Sequence, residues 1–293
     1  MANYTTMQKT GEGTYACTYR GKDERTGEDV IIKEFYEREI GLNEANILRS
    51  LNSANVVSLK EVISTGDSLK LILPFSDTDL HHYICHLGRN LHPALTQSYA
   101  YQLLSGLAHI HEKGIIHRDI CSLSCLISAD GSLKICNFEA SWTANNADGC
   151  PLSPDLVRLW YRPPEMLLGS TTYDCSVDIW SAGCTIAEML KGKELFCTDS
   201  NAEQITAIFE VFGTPNEESY PGVTSLPEYS PDFPAFEKQD LESVLGPANP
   251  KLIDLISKLL EVNPARRITA RDALRHPYFD DISPTIVERF NPN

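Results

Sequence analysis

Residues 117–139 read HRDICSLSCLISADGSLKICNFE, from His117 to Glu139. The triplet His117-Arg118-Asp119 opens the stretch and Asn137-Phe138-Glu139 closes it, with a strand and a turn between them. Asp119 has two readings from its own chemistry. It is either a general base for a hydroxyl or a structural carboxylate that braces its own loop. The neighbours on either side of the stretch decide between these readings.

Bulk composition sets the outer bounds. A chain of 293 residues with 42% hydrophobic content suits one two-lobed unit with a sizeable core. The formal charge is −15, which disfavours general nucleic-acid or anionic-membrane binding. The acidic residues are spread rather than massed in a tail, as on a solvated surface. No apolar run approaches the roughly 18 residues of a spanning helix, and the N-terminus has no signal-peptide core. A cytoplasmic or nuclear protein is expected, with no membrane partner. The nine cysteines are scattered, without the paired CxxC spacing of a zinc site, so no metal site is assigned.

On either side of the opening stretch the periodicity changes character. Residues 4–35 alternate and turn like a β-meander, and Val30-Ile31-Ile32-Lys33 reads as a strand. Residues 37–51 follow as a helix with Ile40, Ala45, Ile47, Leu48 and Leu51 on its apolar face. Two strands are expected at 56–63 and 70–75, joined by the turn 64–67. Ala94 to Lys113 carries the period of a long buried helix, closed by Gly114. A loop rich in Asn, Asp, Ser and Pro, Ala140–Leu156, then leads into Leu159-Trp160-Tyr161-Arg162-Pro163-Pro164-Glu165. There is no internal repeat and no second domain.

The HRD triplet, the VIIK strand, LWYRPPE and Asp178-Ile179-Trp180-Ser181-Ala182-Gly183-Cys184 stand in one order and spacing. Together they resemble a cyclin-dependent-kinase-like protein kinase domain of the CMGC group, over roughly residues 4–280. The resemblance implies an α+β fold in two lobes. A small β-rich N-lobe with one helix would cover about 4–75, and a large, mainly helical C-lobe about 76–280, followed by a short tail. Residues 1–293 would form this single domain. Gly11, Gly13, Lys33, Glu44, Leu73, Ser76 and Leu126 fall on nucleotide-binding positions, with Lys33 paired to Glu44. Asp178 would brace the HRD backbone, and Arg267 would pair with Glu165. Leu48, Leu59, His117 and Phe138 fall on an apolar stack that ties the helix to the C-lobe.

Eight positions depart from the family pattern, and most bear on metal-bound phosphate. Kinases hold Mg²⁺ with an aspartate and an asparagine; here Asn137 and Ser124 stand there, a poor pair for a hard cation. Cys121 replaces a phosphate-neutralising lysine, and losing one such group typically costs about 10²–10³-fold in rate. Glu139 replaces a glycine and is expected to repel phosphate. Arg158 is placed to pair with Asp119 and lock it. Ala16 replaces the third glycine of the phosphate loop, and Thr18 makes the purine site more polar. Ile31 narrows that site, where overfilling costs about 1–3 kcal/mol.

Regulation looks altered too. Ser153, before Pro154, sits at the family's phosphosite, but of three phosphate-holding arginines only Arg118 remains, with Asn43 and Trp142 at the other two. The resemblance, with its departures, implies a pseudokinase that works by binding proteins as scaffold, decoy or allosteric partner. The partner would be another kinase or a cyclin-like subunit, in a cell-cycle setting. No cofactor is expected; ATP stays a candidate ligand and Mg²⁺ a poor one. The alternative is an atypical or weakly active ATP-dependent serine/threonine kinase that uses Asp119 as its base.

Overall fold

The computed structural model describes residues 3–66, 68–143, 153 and 156–283. Its N-terminal lobe is a five-stranded antiparallel sheet in the order β1-β2-β3-β5-β4. The strands are β1 (Tyr4–Glu12), β2 (Ala16–Asp23), β3 (Asp29–Phe35), β4 (Glu61–Thr65) and β5 (Ser68–Pro74). Side chains alternate across a strand, so β3 sends Val30 and Ile32 to one face, where they meet Ile72. Ile31, Lys33 and Phe35 go to the other. The β3–β5 register sets Ile31 opposite Leu73 and Lys33 opposite Leu71, which aims Ile31, Lys33 and Leu73 at one cleft.

Helix α1 (Arg38–Ser50) lies on that same face. Gly41 allows the close approach: a Cβ there would stand 2.5 Å from Leu69 Cδ2 and 2.8 Å from the Phe35 ring. Glu44, almost one turn further on, is thereby set against Lys33.

The segment before β4 departs from the expected strand at 56–63. Pairing starts only at Glu61, because Val56 and Val57 dock on the second lobe. The Val57 N–H donates to Ile135 O, and the Ile135 N–H to Asn55 O, each at 2.9 Å. The backbone groups that could have extended β4 instead stitch the lobes together.

The C-terminal lobe is built on α3 (Pro93–Glu112) and α5 (Ser176–Lys191), both buried along most of their length. Gly114 lies just past α3 with φ 67°, the left-handed turn that ends it. Around this pair stand α2 (Leu80–Leu87), α4 (Pro164–Leu167), α6 (Asn201–Phe212), α7 (Leu241–Leu245), α8 (Pro250–Leu259) and α9 (Ala270–Ala273). Two small sheets roof the lobe beneath the cleft: β6 (Thr78–Asp79) with β8 (Cys125–Ile127) and β9 (Leu133–Ile135), and β7 (Ile115–Ile116) with β10 (Trp142–Thr143). The expected α+β arrangement of a β-rich small lobe and a helical large lobe is what the chain adopts. No helix among the described residues is long and apolar enough to cross a membrane.

Candidate functional site

Between the lobes lies a cleft of about 510 Å³. Lys33, Leu73, Ser76 and Leu126 line it, as do Thr18, Ile31 and Asn137. Ile31 therefore reaches the cleft without closing it. Gly11 and Gly13 are not among the lining residues. Gly11 pairs with Thr18 across β1 and β2, and a Cβ there would come within 2.8 Å of Thr18 Oγ1. Its smallness serves strand packing. Ala16 is buried in the core opposite Phe35.

His117 is wholly buried, and its ring sits edge-on to Phe138 at 4.6 Å. Its Nε2–H donates to Cys136 O at 2.9 Å, and its Nδ1 accepts the Asp119 N–H at 3.2 Å. Both bonds require the neutral Nε2–H tautomer, and burial lowers the pKa in keeping with it. Leu48 and Phe138 belong to the same core cluster, with Leu59 packed at its edge.

Asp178 lies beneath this loop. Its Oδ2 accepts the His117 N–H at 2.8 Å and its Oδ1 the Arg118 N–H at 2.9 Å. His111 Nε2 adds a third bond at 2.9 Å. Burial alone would raise the carboxyl; the histidine and backbone donors outweigh it and hold it below the usual range. These bonds hold Arg118 at φ 65°, a conformation uncommon outside glycine.

Lys33 and Asp119 are each engaged by other side chains. Lys33 Nζ is 2.7 Å from Glu44 Oε2 and 2.7 Å from Glu139 Oε1, with its side chain only 4% exposed. Burial would lower the ammonium, but the two carboxylates outweigh it and hold it above its usual value. One ammonium cannot satisfy two carboxylates equally, one of them fully buried and the other 15% exposed. Burial, opposed by Lys33 and reinforced by Glu139, pushes Glu44 up to about 7. Glu139, read from sequence as a group that would repel phosphate, instead occupies the lysine.

Asp119 is engaged in the same way: Arg158 Nε donates to its Oδ1 at 2.9 Å. Burial raises the Asp119 carboxyl, against the pull of Arg158 and His117. Arg158 is 48% exposed, so this pair contributes little to stability. Arg158→Thr is expected to cost less than about 1 kcal/mol in urea denaturation. A loss of several kcal/mol would show that the pair is a structural strut.

Two positions turn away from the cleft. The Ser124 hydroxyl accepts the Cys121 N–H at 2.9 Å and donates to Cys121 O at 3.0 Å, so it is used within its own turn. The Cys121 thiol is fully buried, and burial pushes it up to about 12. Asn137 keeps its place in the cleft at φ 67°, which asparagine tolerates better than most residues.

Ser153 is exposed, and Tyr173 donates to its carbonyl at 2.8 Å. Arg118 Nε donates to Ala140 O at 2.6 Å and Nη1 to the same Tyr173 hydroxyl at 3.4 Å. Asn43 donates to Ser141 O at 3.2 Å, and Trp142 pairs with Ile116 in β10. Pro154 and most of the expected loop 140–156 lie outside the described residues. Deeper in the lobe, Arg267 makes two bonds to Glu165, at 2.9 and 3.0 Å.

A β-rich lobe and a helical lobe meet at a cleft, with a lysine–glutamate pair above and a braced His-Arg-Asp loop below. The family model described as the protein kinase domain matches residues 4–279, and the chain belongs to that family.

Proposed function

We propose that this chain is a cyclin-dependent-kinase-like pseudokinase that works by binding another protein, as scaffold, decoy or allosteric partner. The observation that carries the reading is the double engagement of Lys33. A lysine held by Glu44 and Glu139 has little left to offer an incoming phosphate. Asp119, tied to Arg158, is likewise spent. Ser124 is used within its own turn, and the neutral Asn137 amide makes a weak ligand for Mg²⁺. The groups that fix the shape of the fold are kept: Asp178 under the loop, His117 on Phe138, and Glu165 with Arg267. A partner would read that shape, with another kinase or a cyclin-like subunit as the classes to look for. Capture from native extract with Glu139→Gln as a comparison arm separates partners that need the Lys33–Glu139 contact from those that do not.

The reading predicts no metal-dependent nucleotide binding. In a thermal-shift titration, ATP with Mg²⁺ or Mn²⁺ is expected to leave the melting temperature unchanged. Ligand at a hundred times its Kd would add about 2.7 kcal/mol and raise that temperature by several degrees. A shift of that size that requires the metal overturns the proposal.

One observation favours a second reading, a weakly active serine/threonine kinase. Lys33 and Glu44 are paired at 2.7 Å and the His117–Phe138 packing is assembled, so positioning is in place even where charge handling is not. Phosphate transfer abolished by Asp119→Asn would support it. A residual signal that survives that change comes from a contaminant.

A further inference from the structure

We propose that His81, Glu188 and Glu194 form a binding site for a divalent transition-metal ion, zinc in the first place, on the C-terminal lobe apart from the cleft. The three residues come from separate segments: the first turn of α2, the last turn of α5 and the loop that follows α5. Their ligand atoms lie within 4.8 Å of one another, and among the described residues this is the one His/Cys/Asp/Glu group so arranged. His81 Nδ1 stands 3.6 Å from Glu188 Oε1 and 3.7 Å from Glu194 Oε1. Both separations exceed a hydrogen bond. They are close to the spacing of two donors that share one ion: with Zn–N and Zn–O near 2.0–2.2 Å, tetrahedral ligands sit roughly 3.3–3.5 Å apart. The neighbouring histidine behaves differently. His82 Nδ1 lies 2.8 Å from Asp79 Oδ2, an ordinary hydrogen-bonded pair.

The surroundings have the parts of a held site. Glu188 is 1% exposed, and its Oε2 accepts the Tyr161 hydroxyl at 2.6 Å, which fixes the carboxylate and leaves Oε1 toward His81. Ser122 Oγ lies 3.2 Å from the same tyrosine oxygen and extends the support. On the far side of the imidazole, Nε2 stands 3.6 Å from Cys85 Sγ, a weak acceptor for the remaining ring N–H. A cavity of about 280 Å³, lined by His81, Glu194, Trp160 and Arg158 among others, opens on the group. It gives an ion a path in and leaves room for water at a fourth position. One imidazole with two carboxylates suits zinc better than magnesium, which prefers oxygen donors alone. An ion there would clamp α2 to the end of α5.

Calorimetric titration of the untagged full chain with ZnCl₂ tests the site. One equivalent is expected to bind. Glu194→Gln and His81→Ala should each weaken it by about a hundredfold or more, since losing even a supporting partner costs about 10–100-fold. His82→Ala should leave it unchanged, and MgCl₂ should not compete. CoCl₂ should give a visible absorption band that Glu194→Gln removes and His82→Ala keeps. Both test residues are partly exposed, and metal-free melting of each variant checks that it folds. If zinc binds the two variants as tightly as the parent chain, or the parent binds none, the proposal is overturned.

Discussion

Lys33→Met is expected to cost about 3–5 kcal/mol of stability at pH 8, because it leaves Glu44 and Glu139 without their cation. The loss should shrink on acidification. Glu44 in the folded chain is already pushed up to about 7, above its ordinary value of 4.5. A carboxyl whose folded pKa is raised binds more protons folded than unfolded between those two values. Its contribution to stability is therefore complete below the lower value and is lost as pH rises through the upper one. Without Lys33 the Glu44 carboxyl loses the cation that opposes its rise, so the variant should gain more than the parent chain between pH 8 and pH 5.5. Adding Glu139→Gln in the Lys33→Met background should recover about 1–2 kcal/mol at pH 8, since the like charge beside buried Glu44 is then gone. Urea denaturation at the two pH values measures all three. A loss that is small and indifferent to pH would mean that Lys33 does not hold these two carboxylates. This matters for function because it makes the lysine a structural anchor between β3, α1 and Glu139, where the family resemblance had implied a phosphate ligand.

Arg267→Leu is the second large effect, again about 3–5 kcal/mol. The Arg267 side chain is fully buried, and besides the two bonds to Glu165 it donates to Ser176 O at 2.7 Å and Glu261 O at 3.0 Å. Its guanidinium also lies 5.3 Å from the Trp180 ring. Leucine would strand a buried carboxylate and two carbonyls. The double change Arg267→Leu with Glu165→Leu should be less damaging than Arg267→Leu alone, because no uncompensated charge remains. Chemical denaturation of the three variants gives the comparison. If the double change costs at least the sum of the two single ones, the pair carries no coupling and the loss lies in packing.

Much of this arrangement was legible in the chain itself. The alternation of β3 and the long period of α3 reflect which faces must be buried, and each is readable within a short window. The Arg158–Asp119 pair followed from opposite charges at positions the motifs bring together. Where reading failed, the missing information was direction. Ser124 and Cys121 stand at cleft positions in the motif, yet a hydroxyl that can bond its own backbone two ways does so and turns inward. Val56 and Val57 have strand character, but their backbone partner belongs to the other lobe. Gly11 reads as a phosphate-loop glycine and is required where it is by Thr18.

The sequence by itself determined the two-lobed scaffold, because local periodicity and ordered motifs specify which surfaces bury and in what succession. The family resemblance also implied that the usual metal-handling residue types are missing from the expected positions. Only the tertiary structure decided which partners the charged groups take. Glu139 meets Lys33 because the loop after β9 closes under β3, and His81 meets Glu188 and Glu194 because α2 packs beside the end of α5. Charges act through a few ångströms of space and not along the chain, so the partners of a buried group are fixed by packing that no local pattern encodes.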